Sequence, residues 1–338
     1  MFLCGEKVMG ATLTELGEQK IVEKIIESLD LMPRIPVSFG DDVSAIEVKK
    51  DVLAVMKTDM LVGETDMPPG MSLMQASRKA VVMNISDFAA KGATPLAILV
   101  ALGLPRSITE KEIMEIAQGL NCGAREYNTY VIGGDTNEAS DLVICCSVFG
   151  FCKREDFVRR EGARPGDLVA ITGLFGNPPC GLKILLEKLE VPHFMKKPIL
   201  ESVLTPKARL REGLALASTR ALTSSIDSSD GLAWSLYELS KASEVGFLIN
   251  HLPLTSEAKR FADLFNLDPF ELCFYGGEEY ELIVTVKPDM WKKAEEAVKR
   301  TGGSLIKIGI VTKAKDIIYV SDGEERKIEK KGWEHFKS

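Results

Sequence analysis

The sequence is short of the residues that usually announce a catalytic centre. Among 338 residues there are three histidines, His193, His251 and His335, far apart and without metal-ligand spacing. The seven cysteines form no C-x-x-C pair, so neither the common zinc motifs nor a redox pair is signalled. Cys145 and Cys146 stand together in the apolar run 142–151 and read as small packing residues. No segment matches the phosphate loop ending in Gly-Lys-Ser/Thr or the G-x-G-x-x-G dinucleotide pattern. No charge-free apolar run reaches the roughly 20 residues that span a bilayer; the stretch 92–105 comes closest and holds two prolines. Residues 1–9 carry Glu6 and Lys7 and lack the apolar core of a secretion signal, so a cytoplasmic protein is expected. Cations are also in deficit, 42 Lys and Arg against 49 Asp and Glu for a net charge of −7. That balance argues against non-specific binding to nucleic acid or to an anionic membrane.

What is present is a folded, soluble composition, 45% hydrophobic and 27% charged, long enough for two domains. Helix and strand signals alternate from the start. Thr12 and Glu15, Ser72 and Gln75, and Thr109 and Glu112 each have capping-box spacing. They predict helices along the stripe from Leu16 to Leu29, from 72 to Ala90 before Gly92 and Pro95, and from 109 to about Tyr127. Strands are expected at 52–56, 97–102, 130–132 and 142–151. A basic Gly/Pro-containing stretch, 153–167, reads as a connection. Beyond it, strands are expected near 168–172, 247–250, 281–286, 306–311 and 317–320. Helices are expected at 179–189, 207–218, from Asp230 and over 288–301. The class is α/β (α+β) in two domains, 1–152 with a mixed sheet and helices and 153–338 as an α+β domain.

The distinctive signal is where the aspartates fall. Five segments set Asp at strand ends, in Gly-containing turns or amid apolar residues: Gly40-Asp41-Asp42, Thr58-Asp59-Met60, Asn84-Ile85-Ser86-Asp87, Gly133-Gly134-Asp135-Thr136 and Ile226-Asp227-Ser228-Ser229-Asp230-Gly231. Each has an ordinary reading. Gly133-Gly134-Asp135 suits a turn, Asp230-Gly231 suits a helix N-terminus, and the segment after Ile226 lacks the alternating acids and final Glu of a calcium loop. Asn84 and Asp87 share one helical face. Taken jointly, carboxylates with few soft ligands suit hard cations, Mg²⁺ above all. An acidic protein that holds anionic phosphates needs such ions as a bridge. The composition thus allows a metal-dependent phosphoryl-transfer enzyme without a His base or a phosphate loop.

In this order, those segments resemble the thiamine-monophosphate kinase family, within the ATP-binding superfamily that includes aminoimidazole-ribonucleotide and selenophosphate synthetases. The resemblance extends through Asn84 to Gly92, Arg160 with Gly162-Ala163-Arg164-Pro165-Gly166-Asp167, Gly276-Gly277-Glu278-Glu279-Tyr280-Glu281-Leu282 and Gly332-Trp333-Glu334-His335-Phe336. It implies phosphorylation of thiamine monophosphate by ATP with several Mg²⁺ ions. Asp42, Thr58, Asp59, Asp87, Asp135, Asp227 and Asp230 would hold the metals, with Asp87, Asp42 and Asp227 most central to catalysis. The Gly133-Gly134 backbone, Arg160 and Ser229 would contact ATP. Asp66, Glu278 and Trp333 would meet the thiamine end, Trp333 by stacking on the thiazolium. The resemblance also implies a homodimer paired through the N-terminal sheet, and an ATP site between the two halves or across the dimer.

Two positions depart from the family pattern. Asp66 stands where many members have a substrate-contacting His, and Lys57 where many have a small Ser. The alternatives are another enzyme of the superfamily and a non-catalytic nucleotide-binding relative. Against a selenophosphate synthetase, Cys4-Gly5-Glu6-Lys7 lacks the Lys/Gly-rich loop around a reactive Cys.

Overall fold

The computed structural model describes residues 11–336, so Cys4 and the stretch read for a secretion signal lie outside it. The described chain falls into two compact units, one of residues up to Arg34 with those from Trp333 onward, the other from Ile35 to Gly332.

In the smaller unit, Thr12 and Glu15 do close a capping box. The expected single helix is broken, however, at Gly17 (φ 73°), which separates α1 (Leu13–Leu16) from α2 (Glu18–Glu27). The backbone N–H of His335 donates to Glu18 at 3.4 Å.

The larger unit opens on β1 (Ser44–Lys49), β2 (Val52–Val62), the single turn α3 (Gly63–Asp66) and α4 (Leu73–Lys91). Ser72 accepts from the Gln75 N–H and Gln75 answers to the Ser72 backbone, so α4 starts where the sequence places it. It ends at Gly92, in the left-handed region at φ 64°, with a Cβ there only 2.2 Å from that of Ala217. Only glycine fits that cap.

β3 (Thr94–Leu104), α5 (Glu110–Glu126), β4 (Val131–Glu138) and β5 (Val143–Lys153) complete a five-stranded sheet in the order β1-β2-β5-β3-β4. All pairs are antiparallel except β3 with β4, which α5 connects as a crossover. The helices α4 and α5 pack on one face. Along β5, Ile144, Cys146, Val148 and Cys152 turn to that face and are buried, while Cys145, Ser147, Phe149 and Phe151 turn away.

The segment Gly133-Gly134-Asp135-Thr136, which reads as a turn, is instead the middle of β4. A Cβ on Gly134 would lie 1.8 Å from the carbonyl oxygen of Val100, so the close approach of β4 to β3 needs the missing side chain.

A second sheet is built from β6 (Leu168–Ile171), β7 (Leu222–Asp227), β8 (Gly246–Ile249), β9 (Leu282–Val286), β10 (Ile306–Thr312), β11 (Ile317–Ser321) and β12 (Glu324–Lys327), in the order β12-β11-β8-β10-β6-β9-β7. Its helices are α6 (Asn177–Glu187), α7 (His193–Leu204), α8 (Leu210–Thr219), α9 (Leu232–Ser243), α10 (Ser256–Phe265), α11 (Pro269–Phe274) and α12 (Trp291–Arg300). Every residue of β9 is buried. Leu282, Val284 and Val286 join a core with α4, α8 and α12, whereas Ile283 joins another with α9 and α11. The molecule is a mixed α/β protein with one sheet in each half, and α4 belongs to the core of both.

Candidate active site

A helix buried all round cannot keep a polar face for solvent, so its polar side chains must find partners inside. α4 is such a helix: Arg78, Lys79, Asn84, Ser86, Asp87 and Lys91 are all buried. Arg78 pairs with Glu126 at 2.7 Å and donates to the carbonyl of Pro206 at 2.8 Å. Asn84 returns its amide to the Ala80 carbonyl at 3.0 Å, which gives it a structural role within the helix. Lys79 pairs with Glu278. Ser86 donates to Asp227 at 2.7 Å. Lys91 reaches Asp41 at 2.6 Å, Asp42 at 2.9 Å and the Ser225 carbonyl at 2.7 Å.

Through these contacts three acidic side chains converge: Asp42 from the loop before β1, Asp87 from α4 and Asp227 from the end of β7. One carboxylate oxygen of each lies within 4.8 Å of the others, and all three residues are buried. Asp59 joins through Lys57, whose ammonium is 3.1 Å from Asp59 and 3.2 Å from Asp87. Arg160 donates from Nε to Asp42 at 2.6 Å, and its Nη1 lies 3.7 Å from Glu238.

The electrostatics follow from this crowding. Burial pushes Asp227 up to about 7, with the neighbouring charge of Asp42 adding to it and the Ser86 hydroxyl opposing it. Burial likewise holds Asp87 well above the usual carboxylate range, against the pull of Lys57 and with the help of Asp227 and Asp59. Asp42 differs. Burial would raise it, but Arg160 and Lys91 together hold it below the ordinary value. Lys57 is desolvated as well, yet Asp87 and Asp59 hold it firmly protonated. Negative charge is therefore under-compensated at Asp87 and Asp227. Three carboxylates so placed fit a shared hard cation, whose oxygen ligands stand about 2.0–2.1 Å from it for Mg²⁺.

The other expected site residues fall in several places. Thr58 is exposed on β2, its hydroxyl 3.0 Å from that of Ser147. Asp230 and Ser229 precede Gly231, the N-cap of α9, and the Ser229 carbonyl accepts from the Glu278 N–H at 2.6 Å. Glu278 has a left-handed backbone (φ 65°), and its second carboxylate oxygen is buried without a partner. Asp66 accepts from the Val62 N–H at 2.7 Å, tying α3 back to β2. Gly133, Gly134 and Asp135 are exposed on the edge strand β4. Cross-strand registers put Asp135 in the row of Met60, three strands and thus roughly 14 Å from β2. Trp333 is exposed in the smaller unit, its ring edge-on to His335 at 6.0 Å between centroids.

Sequence reasoning left Lys79, Lys91 and Ser86 out of the candidate list. The available signal was two lysines within a helix that has no polar stripe, which must be neutralised inside.

Beside the acidic cluster a cleft of about 780 Å³ lies over the far face of the first sheet, lined by Phe39, Asp41, Asp42, Met56, Lys57 and Leu99 among others. Its size and partly apolar lining suit a small-molecule site.

Comparison with known proteins bears on this geometry. Residues 40–152 match the family model "AIR synthase related protein, N-terminal domain". The thiamine-monophosphate kinase of Nitrosopumilus maritimus is 37% identical over 88% of this chain and 93% of its own length. That of Pyrococcus horikoshii is 34% identical over 96% and 98%. The solved structure of AaThiL complexed with AMPPCP and TMP superposes with a TM-score of 0.84 at 27% identity, covering 97% of this chain and 99% of that one. Agreement of this extent, spanning both sheets and the acidic cluster between them, means that the chain belongs to the thiamine-monophosphate kinase family.

Proposed function

We propose that this chain transfers the terminal phosphoryl group of ATP to thiamine monophosphate, by direct in-line attack, to give thiamine diphosphate. The observation that carries the reading is the meeting of Asp42, Asp87 and Asp227 within 4.8 Å of one another. It is supported by the relatives' names and by the AMPPCP and TMP held by AaThiL.

The acceptor is a phosphate oxygen already ionised near neutral pH, so no side chain need remove its proton. Asp42, Asp87 and Asp227 would hold Mg²⁺, with Thr58, Asp59 and Asp230 as further ligands; Asp135, roughly 14 Å from β2 within one chain, would join them from a second copy. Bound Mg²⁺ supplies the charge neutralisation that lets two anionic phosphates approach. Arg160, held on Asp42 through Nε and Nη2 with Nη1 3.7 Å from Glu238, is assigned to the nucleotide, with the Gly133-Gly134 backbone and Ser229. Glu278, Asp66 and Trp333 are assigned to the thiamine end.

In functional terms, residues 1–152 form the ATP/metal-binding and dimerisation domain and 153–338 the C-terminal domain. The first sheet supports a homodimer: its face away from α4 leaves Leu96, Leu99, Ile132, Met60 and Phe149 exposed, an apolar patch that suits an interface. Pairing there would complete the ATP site across the two copies, with β4 contributing from its edge.

Asp87→Asn tests the reading. The substitution keeps volume and is expected to leave the fold intact while lowering kcat by roughly 10²–10³-fold. Near-normal turnover at saturating Mg²⁺ would remove Asp87 from this role. Phosphorylation by the wild type only of some other acceptor, in a coupled assay with ATP, would overturn the substrate.

A further inference from the structure

Three cations meet the acidic cluster, Lys91, Arg160 and Lys57, and Lys57 is engaged unlike the other two. β2 alternates, with Met56, Thr58 and Met60 on the exposed face and Val55, Lys57, Asp59 and Leu61 toward α4. Lys57 is thus directed into the same space as Asp87. Its ammonium lies between the carboxylates of Asp59 and Asp87, at 3.1 and 3.2 Å. Lys91 and Arg160 are engaged differently. Lys91 also holds the Ser225 carbonyl, and Arg160 reaches from Asp42 to Glu238. Among the described residues, Lys57 Nζ meets carboxylates and no backbone carbonyl.

We propose that Lys57 is a resident counter-ion: its ammonium fills one cation position of the cluster, so that the chain binds one divalent ion fewer than it would with a small neutral side chain there. An ammonium about 3 Å from an oxygen of each carboxylate occupies the space from which a divalent ion would bridge them, since that ion needs its ligands at about 2.0–2.1 Å. It also neutralises about one charge where Asp87, Asp227 and Asp42 repel one another. The inference rests on the reading that this cluster holds divalent ions.

Mn²⁺ is the probe, counted per chain by electron paramagnetic resonance of the free ion, with and without AMPPCP, for wild type, Lys57→Ser and Lys57→Met. The serine variant opens space and is expected to bind one more Mn²⁺ than wild type. The methionine variant keeps the volume but not the charge, and is expected to bind the wild-type number about tenfold more tightly. Melting in EDTA supplies a second readout: both variants should melt below wild type, and Mn²⁺ should restore the serine variant. An unchanged count in Lys57→Ser together with unchanged affinity in Lys57→Met overturns the counter-ion role while leaving the metal reading intact. If none of the three proteins binds Mn²⁺, the metal reading itself fails and the inference falls with it. Should Lys57→Ser not fold, the affinity of Lys57→Met alone decides.

Discussion

Lys91, fully buried in the last turn of α4, holds its ammonium 2.9 Å from Oδ2 of Asp42, on the loop that leads into the first strand. The same ammonium takes the carbonyl of Ser225 in β7. One side chain therefore joins the helix, the loop and the second sheet at the edge of the active site. Removing it leaves Asp42 with a buried charge and only Arg160 to answer it. Lys91→Met is expected to destabilise the protein by about 3–5 kcal/mol, measured by urea denaturation. A loss below about 1 kcal/mol would show that Arg160 suffices.

The raised value of Asp227 makes stability depend on pH when no metal is present. In the folded protein this carboxyl keeps its proton up to about 7, while in the unfolded chain it loses it near 3.9. Its contribution is then complete below the unfolded value and is lost as pH rises through 7. Melting in EDTA should fall between about pH 4 and 7, whereas Mg²⁺, which favours the ionised form, should flatten or reverse the trend. Asp227→Asn should abolish this part of the slope in EDTA. An identical slope in that variant would assign the effect to another group.

The two glycines of β4 separate folding from ligand contact. A Cβ on Gly134 would meet the Val100 carbonyl oxygen at 1.8 Å, while one on Gly133 would meet nothing nearer than a Leu99 methyl at 3.4 Å. Gly134→Ala is expected to lower the melting temperature through strain in the β3–β4 pair. Gly133→Ala should fold normally and, if this backbone holds ATP, should raise the KM for ATP several-fold. Equal melting losses in both variants would contradict the distinction.

The uncovered sheet face predicts association. Ile132 is 67% exposed and Leu99 51%, and a carboxylate at either position would oppose burial against a second copy. Ile132→Glu should fold with an unchanged circular dichroism spectrum but sediment as a monomer, with wild type a dimer. Wild type sedimenting as a monomer at micromolar concentration would remove the proposed pairing.

Much of the fold was legible because its signals are local. Ser72 with Gln75 and Thr109 with Glu112 mark helix starts through side chains three residues away, and Gly92 marks a stop by its conformation. α7 was not legible, since Pro198 inside it argues against a helix, and Met195 and Ile199 bury against α6 and α10 only in the folded chain. The strand character of Gly133-Gly134-Asp135 was hidden for a similar reason: those glycines answer to the neighbouring strand rather than to a turn. At the site, the acidic residues were recognisable, but their counter-ions were not. Nothing in the order of residues says that Lys91 neutralises Asp42, or that Lys57 takes Asp59 and Asp87. Those pairings exist only once the helix lies between two sheets.

The pair of Lys79 and Glu278 has its own consequence for anyone altering the thiamine end. Lys79 is 1% exposed and reaches Glu278 from α4. Neutralising Glu278 alone would leave a buried ammonium with no counter-charge at that contact, held by the Asp66 carbonyl at 3.2 Å, so an inactive Glu278→Ala enzyme would not separate a missing substrate contact from a damaged framework. The informative variant changes both ends at once, and the two positions are expected to drift together in descent, an acid at one tolerated only while a base persists at the other.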